Sequence, residues 1–149
     1  FTIIRHSNIY GPHDKYDLDK SHVFGATITK VMRAKGNLDV WGDGSEIRDF
    51  LHAEDLVNFI KKAISKQKTQ YEIYNCGSGK PITVKALCNL IVKISKKPLK
   101  IKFDKNKPTI PFDMYLNCNK AKKDLGWVPK ITIESGITKT ISWWKKNIK

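Results

Sequence analysis

FTIIRHSNIYGPHDKYDLDKSH, residues 1–22, runs an apolar segment straight into a glycine-proline turn. In FTIIR, Phe1, Ile3 and Ile4 put apolar side chains on both faces of an extended segment, the pattern of a strand buried in a parallel sheet. Residues 11–22 then read as a polar loop. The turn itself requires only Gly11 and Pro12. An amide at Asn8 and a phenol at Tyr10 must serve something else, and the remainder of the chain has to say what.

Downstream, Val23, Ile28, Val31 and Met32 share one face of a predicted helix over 23–34, stopped by Gly36. LDVWGDGSEIRDFLH, residues 38–52, reads as two short strands around a Gly-Asp-Gly hairpin turn. AEDLVNFIKKAISK (53–66) is an amphipathic helix with Leu56, Phe59, Ile60 and Ala63 inward and acidic residues in its first turn. YEIYNC (71–76) is a strand running into GSG. Thr83 then caps a helix whose buried face is Leu87, Leu90, Ile91 and Ile94 and which ends by Pro98. LKIKF (99–103) alternates as a strand, and 104–114 is a proline-containing loop. A short helix in NKAKKDLGW stops at Gly126, and a last helix presents Ile137, Ile141, Trp144 and Ile148. The order β-α-β-β-α-β-α-β-α-α is that of a mixed α/β fold.

The length, 149 residues, is that of one domain, and 40% hydrophobic with 28% charged residues predicts a soluble globular chain. No apolar run approaches the ~18–20 residues of a membrane span. The opening residues lack the basic lead of a secretory leader and read as a strand. Cys76, Cys88 and Cys118, with no C-x-x-C spacing, predict neither a disulfide framework nor zinc, and His6, His13, His22 and His52 fall at no metal-ligand spacing. Isolated thiols fit a reducing compartment.

The net charge of +14 invites a nucleic-acid reading. Against it, only Arg5, Arg33 and Arg48 are arginines, whereas base and phosphate readout leans on the guanidinium fork. The lysines are spread over every predicted helix, as on a solvated exterior. Among single motifs, GSG at 77–79 lacks the spacing of a phosphate cradle and reads first as a plain strand-to-helix turn. Arg48 alternates with apolar neighbours in EIRDFLH. A surface salt bridge to Asp49 or Glu46 and an anion clamp are both open for it.

Taken together, SNIYGPHDKYD, SHV, Lys30, VWGDGSEIRDFLHAEDL, YNCGSG and KAKKDLGWVP form an ordered series. It resembles the C-terminal half of the extended short-chain dehydrogenases, the NAD-dependent epimerase/dehydratase family acting on nucleotide-sugars. The likeness runs over essentially the whole chain. Within the family, NIYGPHD followed by SHV and by VWGDG with R-F-LH is most similar to the GDP-L-fucose synthases.

The resemblance implies an α/β fold: the C-terminal part of a Rossmann-type enzyme, its substrate-binding subdomain plus the last Rossmann elements, over residues 1–149. It implies cofactor contacts at Ser7, Asn8, Ile9 and His22, with Asn8 and Tyr10 facing cofactor and sugar. Asn8, able both to donate and to accept, suits sugar hydroxyls or a carboxamide. His22 is implied as the acid of epimerisation, a role that suits an imidazole returning a proton to carbon beside a ketone. Lys30, Trp41 and Arg48 are implied substrate contacts: Lys30 and Arg48 towards phosphates, Trp41 as an apolar wall. Lys30 stands where a fucose synthase has an arginine, which turns a two-pronged contact into a point charge.

The chain departs from the family in IPFDMYLNCNKA (110–121), where Asp113 and Met114 replace a basic pair and Asn117 an acid. The family's Gly-rich dinucleotide fingerprint and its proton-moving Tyr-x-x-x-Lys pair are both expected outside this chain, in an N-terminal dinucleotide-binding portion. This chain alone is therefore expected to be inactive. The implied whole is a cytoplasmic, homodimeric enzyme using NADP or NAD on a nucleoside diphosphate-sugar, GDP favoured, with no metal, nucleic acid or membrane. The alternatives are a UDP-sugar 4-epimerase or nucleotide-sugar 4,6-dehydratase, a polyanion-binding module, and a scaffold that has lost its site.

Overall fold

The computed structural model describes residues 1–110 and 112–148. Three of its four strand pairings are parallel. β1 (Thr2–His6) lies beside β6 (Glu72–Cys76), β2 (Asn8–Tyr10) beside β5 (Phe50–His52), and β3 (Asn37–Trp41) beside β8 (Lys100–Asp104). The antiparallel pair joins β4 (Ile47–Arg48) to β7 (Ile82–Thr83). The helices are α1 (Val23–Arg33), α2 (Ala53–Lys66), α3 (Val84–Ser95), α4 (Asn119–Leu125) and α5 (Ile133–Asn147). Mixed α/β architecture with parallel strands is as the sequence predicts.

The predicted hairpin over 38–52 is not formed. β3, β4 and β5 each pair with a strand distant in sequence, and the Gly-Asp-Gly turn lies between strands of different pairs. Gly42 and Gly44 both adopt positive φ, as a turn there requires, but a turn of this kind redirects the chain without bringing its own flanks together. β2 and β7, of three and two residues, are too short to carry a period that the sequence could show.

Among the described residues, two apolar clusters form the core. The larger packs Tyr10, Tyr16, Phe24 and Phe50 with the inner faces of α1, α3 and α5, including Ile28, Leu87, Ile91 and Ile137. The smaller joins Leu51, Phe59, Tyr74, Leu125 and Trp127 beneath β1 and β6. Asp55 ties this second cluster to the chain that leads into α5. Its carboxylate accepts the N–H groups of Lys130 and Ile131 at 3.0 and 2.9 Å, and its carbonyl accepts Trp127 Nε1–H at 3.2 Å. Helix ends follow the sequence: Thr83 Oγ1 accepts Ala86 N–H, and Gly126 closes α4 in the left-handed region at φ +60°. Ile148 falls one residue past the end of α5, and Ile60 faces outward rather than into the core.

β1 pairs with β6 alone among the described strands, so its other edge is open. Around the start of β1, Phe1, Ile60 and Tyr71 are exposed, Ile64 is 82% exposed, and a cleft of about 450 Å³ separates the start of β1 from the end of α2. Unpaired N–H and C=O groups next to apolar surface template pairing with another chain. Self-association through this edge is therefore expected. Sedimentation at rising concentration should show it, with Ile64→Lys weakening it. A strictly monomeric species with rapid amide exchange at Thr2–Ile4 would mean a frayed end instead.

Candidate functional site

The glycine-proline turn at 11–12 is built against α2. Gly11 has φ +145°, and a Cβ there would lie 3.2 Å from His52 Nε2. His52 caps α2, its Nδ1 accepting Glu54 N–H at 3.2 Å, and burial pushes its pKa down, so the ring is held neutral. Tyr10 does not face a ligand cleft. It is 2% exposed, its ring lies 4.1 Å from that of Phe24, and its hydroxyl fills the space over Gly136 that any Cβ would occupy. Burial drives its phenol well above the ordinary range. The phenol beside the turn is a core post that seats α5, which corrects the expectation that it meets cofactor and sugar.

Asn8 behaves differently. Its backbone N–H and its Nδ2 both donate to the carbonyl of Asp49, at 3.1 and 3.0 Å, leaving Oδ1 as an acceptor. Ser7 is buried with its N–H on Cys76 O at 3.0 Å, while its Oγ has no partner. Ile9 is half-buried against the smaller cluster.

Asp49, in the sequence no more than a possible salt-bridge partner of Arg48, is the centre of this region. It is fully buried and accepts Ser78 N–H at 2.8 Å, Ser78 Oγ–H at 2.5 Å, and the N–H groups of Gly79 and Leu116 at 3.2 Å each. Gly77 N–H goes to Cys118 Sγ at 3.1 Å. All three amides of GSG are thus engaged within the protein, so the turn is structural, as predicted. A sequence signal existed: Asp49 stands directly before the apolar pair Phe50–Leu51, where an acid must find donors or be expelled.

Arg48 makes no salt bridge to Asp49 or Glu46; the ion pairs among the described residues are Lys120–Glu72 and Lys139–Glu54. Its guanidinium donates to main-chain carbonyls instead: Nη1 to Ile47 at 3.0 Å and to Phe112, and Nη2 to Ile110 at 2.9 Å. Three of five N–H donors are engaged, leaving two. Lys30 and Trp41 meet each other. Lys30 Nζ lies 5.7 Å from the indole centroid and donates to Asp39 O at 3.1 Å, and Lys107 Nζ lies 6.0 Å from the same ring. Trp41 remains 54% exposed. Its neighbour Gly42 is in close contact with Thr109, next to the Ile110 carbonyl that holds Arg48, so one loop links the two groups.

His22 joins neither group. It is the N-cap residue of α1, it is exposed, and its side chain makes no capping hydrogen bond. Nearby Asp14 has its pKa raised by burial, opposed by the Lys15 N–H and by His22. Tyr16 and Lys20 do stand at Tyr-x-x-x-Lys spacing, against the expectation that the chain has no such pair. They lie in the 11–22 loop, not on a helix, and Tyr16 is buried with its hydroxyl donating to Gly11 O at 2.8 Å. A buried phenol whose pKa is driven upward and whose proton is already placed does not relay protons.

Burial raises the pKa of the Cys88 thiol to about 11 and that of Cys76 to about 12, which makes both poor nucleophiles. No group of three or more metal-ligating side chains converges among the described residues.

Residues 1–77 match the model of the NAD dependent epimerase/dehydratase family. The chain belongs to that family. A GDP-L-colitose synthase of Yersinia pseudotuberculosis is 34% identical over 141 residues, 92% of this chain and 46% of that protein. A GDP-L-fucose synthase of Sinorhizobium fredii is 34% identical over 146 residues, 95% of this chain and 46% of that protein. In structure, a UDP-glucose 4-epimerase of Thermotoga maritima superposes with a TM-score of 0.88 at 26% identity, covering 99% of this chain and 47% of that one. The chain spans about half the length of the curated relatives it matches. Family membership and the Rossmann-like α/β fold are as the motif series implies. No helix among the described residues is long and apolar enough to cross a membrane.

Proposed function

We propose that this chain is the substrate-binding portion of an NAD(P)-dependent enzyme that epimerises and reduces a 4-keto-6-deoxy sugar carried on a nucleoside diphosphate, GDP favoured. The observation that carries the reading is the exposed Trp41 indole flanked by Lys30 and Lys107 and linked through one loop to Arg48. A flat apolar face among cations suits a ligand that is part ring and part polyanion. Both relatives at 34% identity named above carry GDP in their names, and this favours the guanine nucleotide.

In this reading Lys30 and Arg48 take the phosphates and Trp41 walls the sugar or base. His22 returns a proton to the carbon beside the ketone. Ser7, Asn8, Ile9 and His22 border the nicotinamide, whose hydride chemistry the cofactor supplies when bound. The Ser7 hydroxyl and Asn8 Oδ1 fit a carboxamide or sugar hydroxyl. The dinucleotide itself is held by a portion outside these 149 residues, and the assembled enzyme is a cytoplasmic homodimer. The structural likeness to a UDP-glucose 4-epimerase supports a second reading, a UDP-sugar 4-epimerase or 4,6-dehydratase. A polyanion-binding module is disfavoured by lysines committed within the protein, such as Lys97 to Met32 O and Ala34 O, both at 2.7 Å.

Calorimetric titration with GDP-sugar, UDP-sugar and random DNA tests the reading. The chain is expected to bind the GDP-sugar most tightly and to oxidise no NADPH with any keto-sugar, because it holds no working Tyr-Lys pair. Tighter UDP-sugar binding would move the assignment to the second reading. Steeply salt-dependent DNA binding without sugar-nucleotide binding would overturn both.

A further inference from the structure

Asp113 and Met114, the departure from the family's basic pair, lie in a segment whose described residues, 110 and 112–114, are closely tied to Arg48. Asp113 Oδ1 accepts the N–H of Ile47 at 2.8 Å, and Met114 N–H donates to Ile47 O at 3.2 Å. Met114 also forms an isolated parallel bridge with Arg48. The residue before Arg48 is therefore bracketed by Asp113 and Met114, while carbonyls of the same segment, at Ile110 and Phe112, receive the guanidinium. We propose that Asp113 is a positioning residue for anion binding at Arg48. It fastens the segment to β4, and the segment's carbonyls then fix the guanidinium with Nε–H and one Nη2–H turned over to a pyrophosphate-type ligand. The inference rests on the reading that Arg48 meets a diphosphate.

A simple charge argument predicts the opposite sign. A carboxylate close to a guanidinium repels an approaching anion, so removing it by any substitution should tighten binding. Positioning instead predicts that the acceptor matters and the charge does not. Asp113→Ala loses the bond to Ile47 N–H, whereas Asp113→Asn keeps an oxygen in the same place.

The test is titration of inorganic pyrophosphate into the wild-type chain, Asp113→Ala, Asp113→Asn, Arg48→Ala and the Asp113→Ala/Arg48→Ala double variant, each with a thermal melt. Asp113→Ala should weaken binding about tenfold, the scale of one well-made hydrogen bond. Asp113→Asn should stay close to wild type, and the double variant should be no weaker than Arg48→Ala alone. Asp113 is exposed, so all Asp113 variants are expected to melt near wild type. Asp113→Ala binding as tightly as wild type, or Asp113→Asn falling with it, would overturn the positioning role alone. A wild-type chain whose pyrophosphate binding is lost in Arg48→Ala and weakened in Asp113→Ala, but which binds no nucleotide-sugar, would overturn the proposed function and leave the positioning role standing. One that binds neither would overturn both.

Discussion

His22→Asn, in an enzyme assembled from this chain and a dinucleotide-binding portion of the family, is expected to lose epimerisation far more than ketone reduction. The position supports a selective effect. His22 is exposed at the start of α1, and its ring makes no capping bond there. Asparagine is among the best N-cap residues, so the substitution keeps or improves the helix start while removing the imidazole. General acid–base assistance is worth about 10²–10⁴-fold. Incorporation of solvent deuterium into the sugar should fall by that order, whereas NADPH oxidation with an already epimerised keto-sugar should fall much less. Equal loss of both steps would mean that His22 only positions its neighbours. A wild-type melting temperature for the variant keeps the comparison clean.

Long elements with a clear period were legible in the sequence; pairings between distant segments were not. The helix from Ala53, the Thr83 cap and the Gly126 stop all follow from local chemistry that the chain states outright. Residues 38–52 misled because a Gly-Asp-Gly turn between apolar runs has the local signature of a hairpin. Nothing within those fifteen residues says that Leu38 faces Ile101, or that Leu51 faces Ile9. Tyr10 misled for a related reason. A phenol beside a ligand-facing turn and a phenol that fills the space over Gly136 look identical until α5 is in place. Asp49 shows the converse. Its four donors come from Ser78, Gly79 and Leu116, residues 29 to 67 positions away, so only the folded chain reveals why an acid can be buried there. Of the proposed substrate contacts, Lys30 and Trp41 are brought together by α1 packing on β3, a contact that sequence spacing alone could not supply.

Arg48→Ala is expected to weaken nucleoside diphosphate-sugar binding roughly 10- to 150-fold, the loss of a charge-assisted contact of about 1.5–3 kcal/mol. Arg48 is one of three arginines in a chain whose cations are otherwise lysines, and it is the one held on a strand beside the exposed Trp41 loop. Its three carbonyl contacts fix the plane of the guanidinium, so two donors can be offered to an anion without the entropy loss of ordering a free side chain. Arg48→Lys should recover only part of the affinity, because an ammonium cannot satisfy two segment carbonyls and still make a two-pronged phosphate contact. The competing account is architectural. If Arg48 only fastens segment 110–114, its loss lowers the melting temperature or frees that segment to proteases, and affinity for the nucleotide stays as it was. Titrating GDP-sugar and UDP-sugar into wild type, Arg48→Ala and Arg48→Lys, with melts and chymotryptic cleavage after Phe112 followed in parallel, separates the two. Faster cleavage with unchanged affinity for both ligands would leave Arg48 a fastener. Weakened affinity for both, partly restored by lysine, is the outcome expected of an arginine that fastens the segment with one side of its fork and holds the diphosphate with the other.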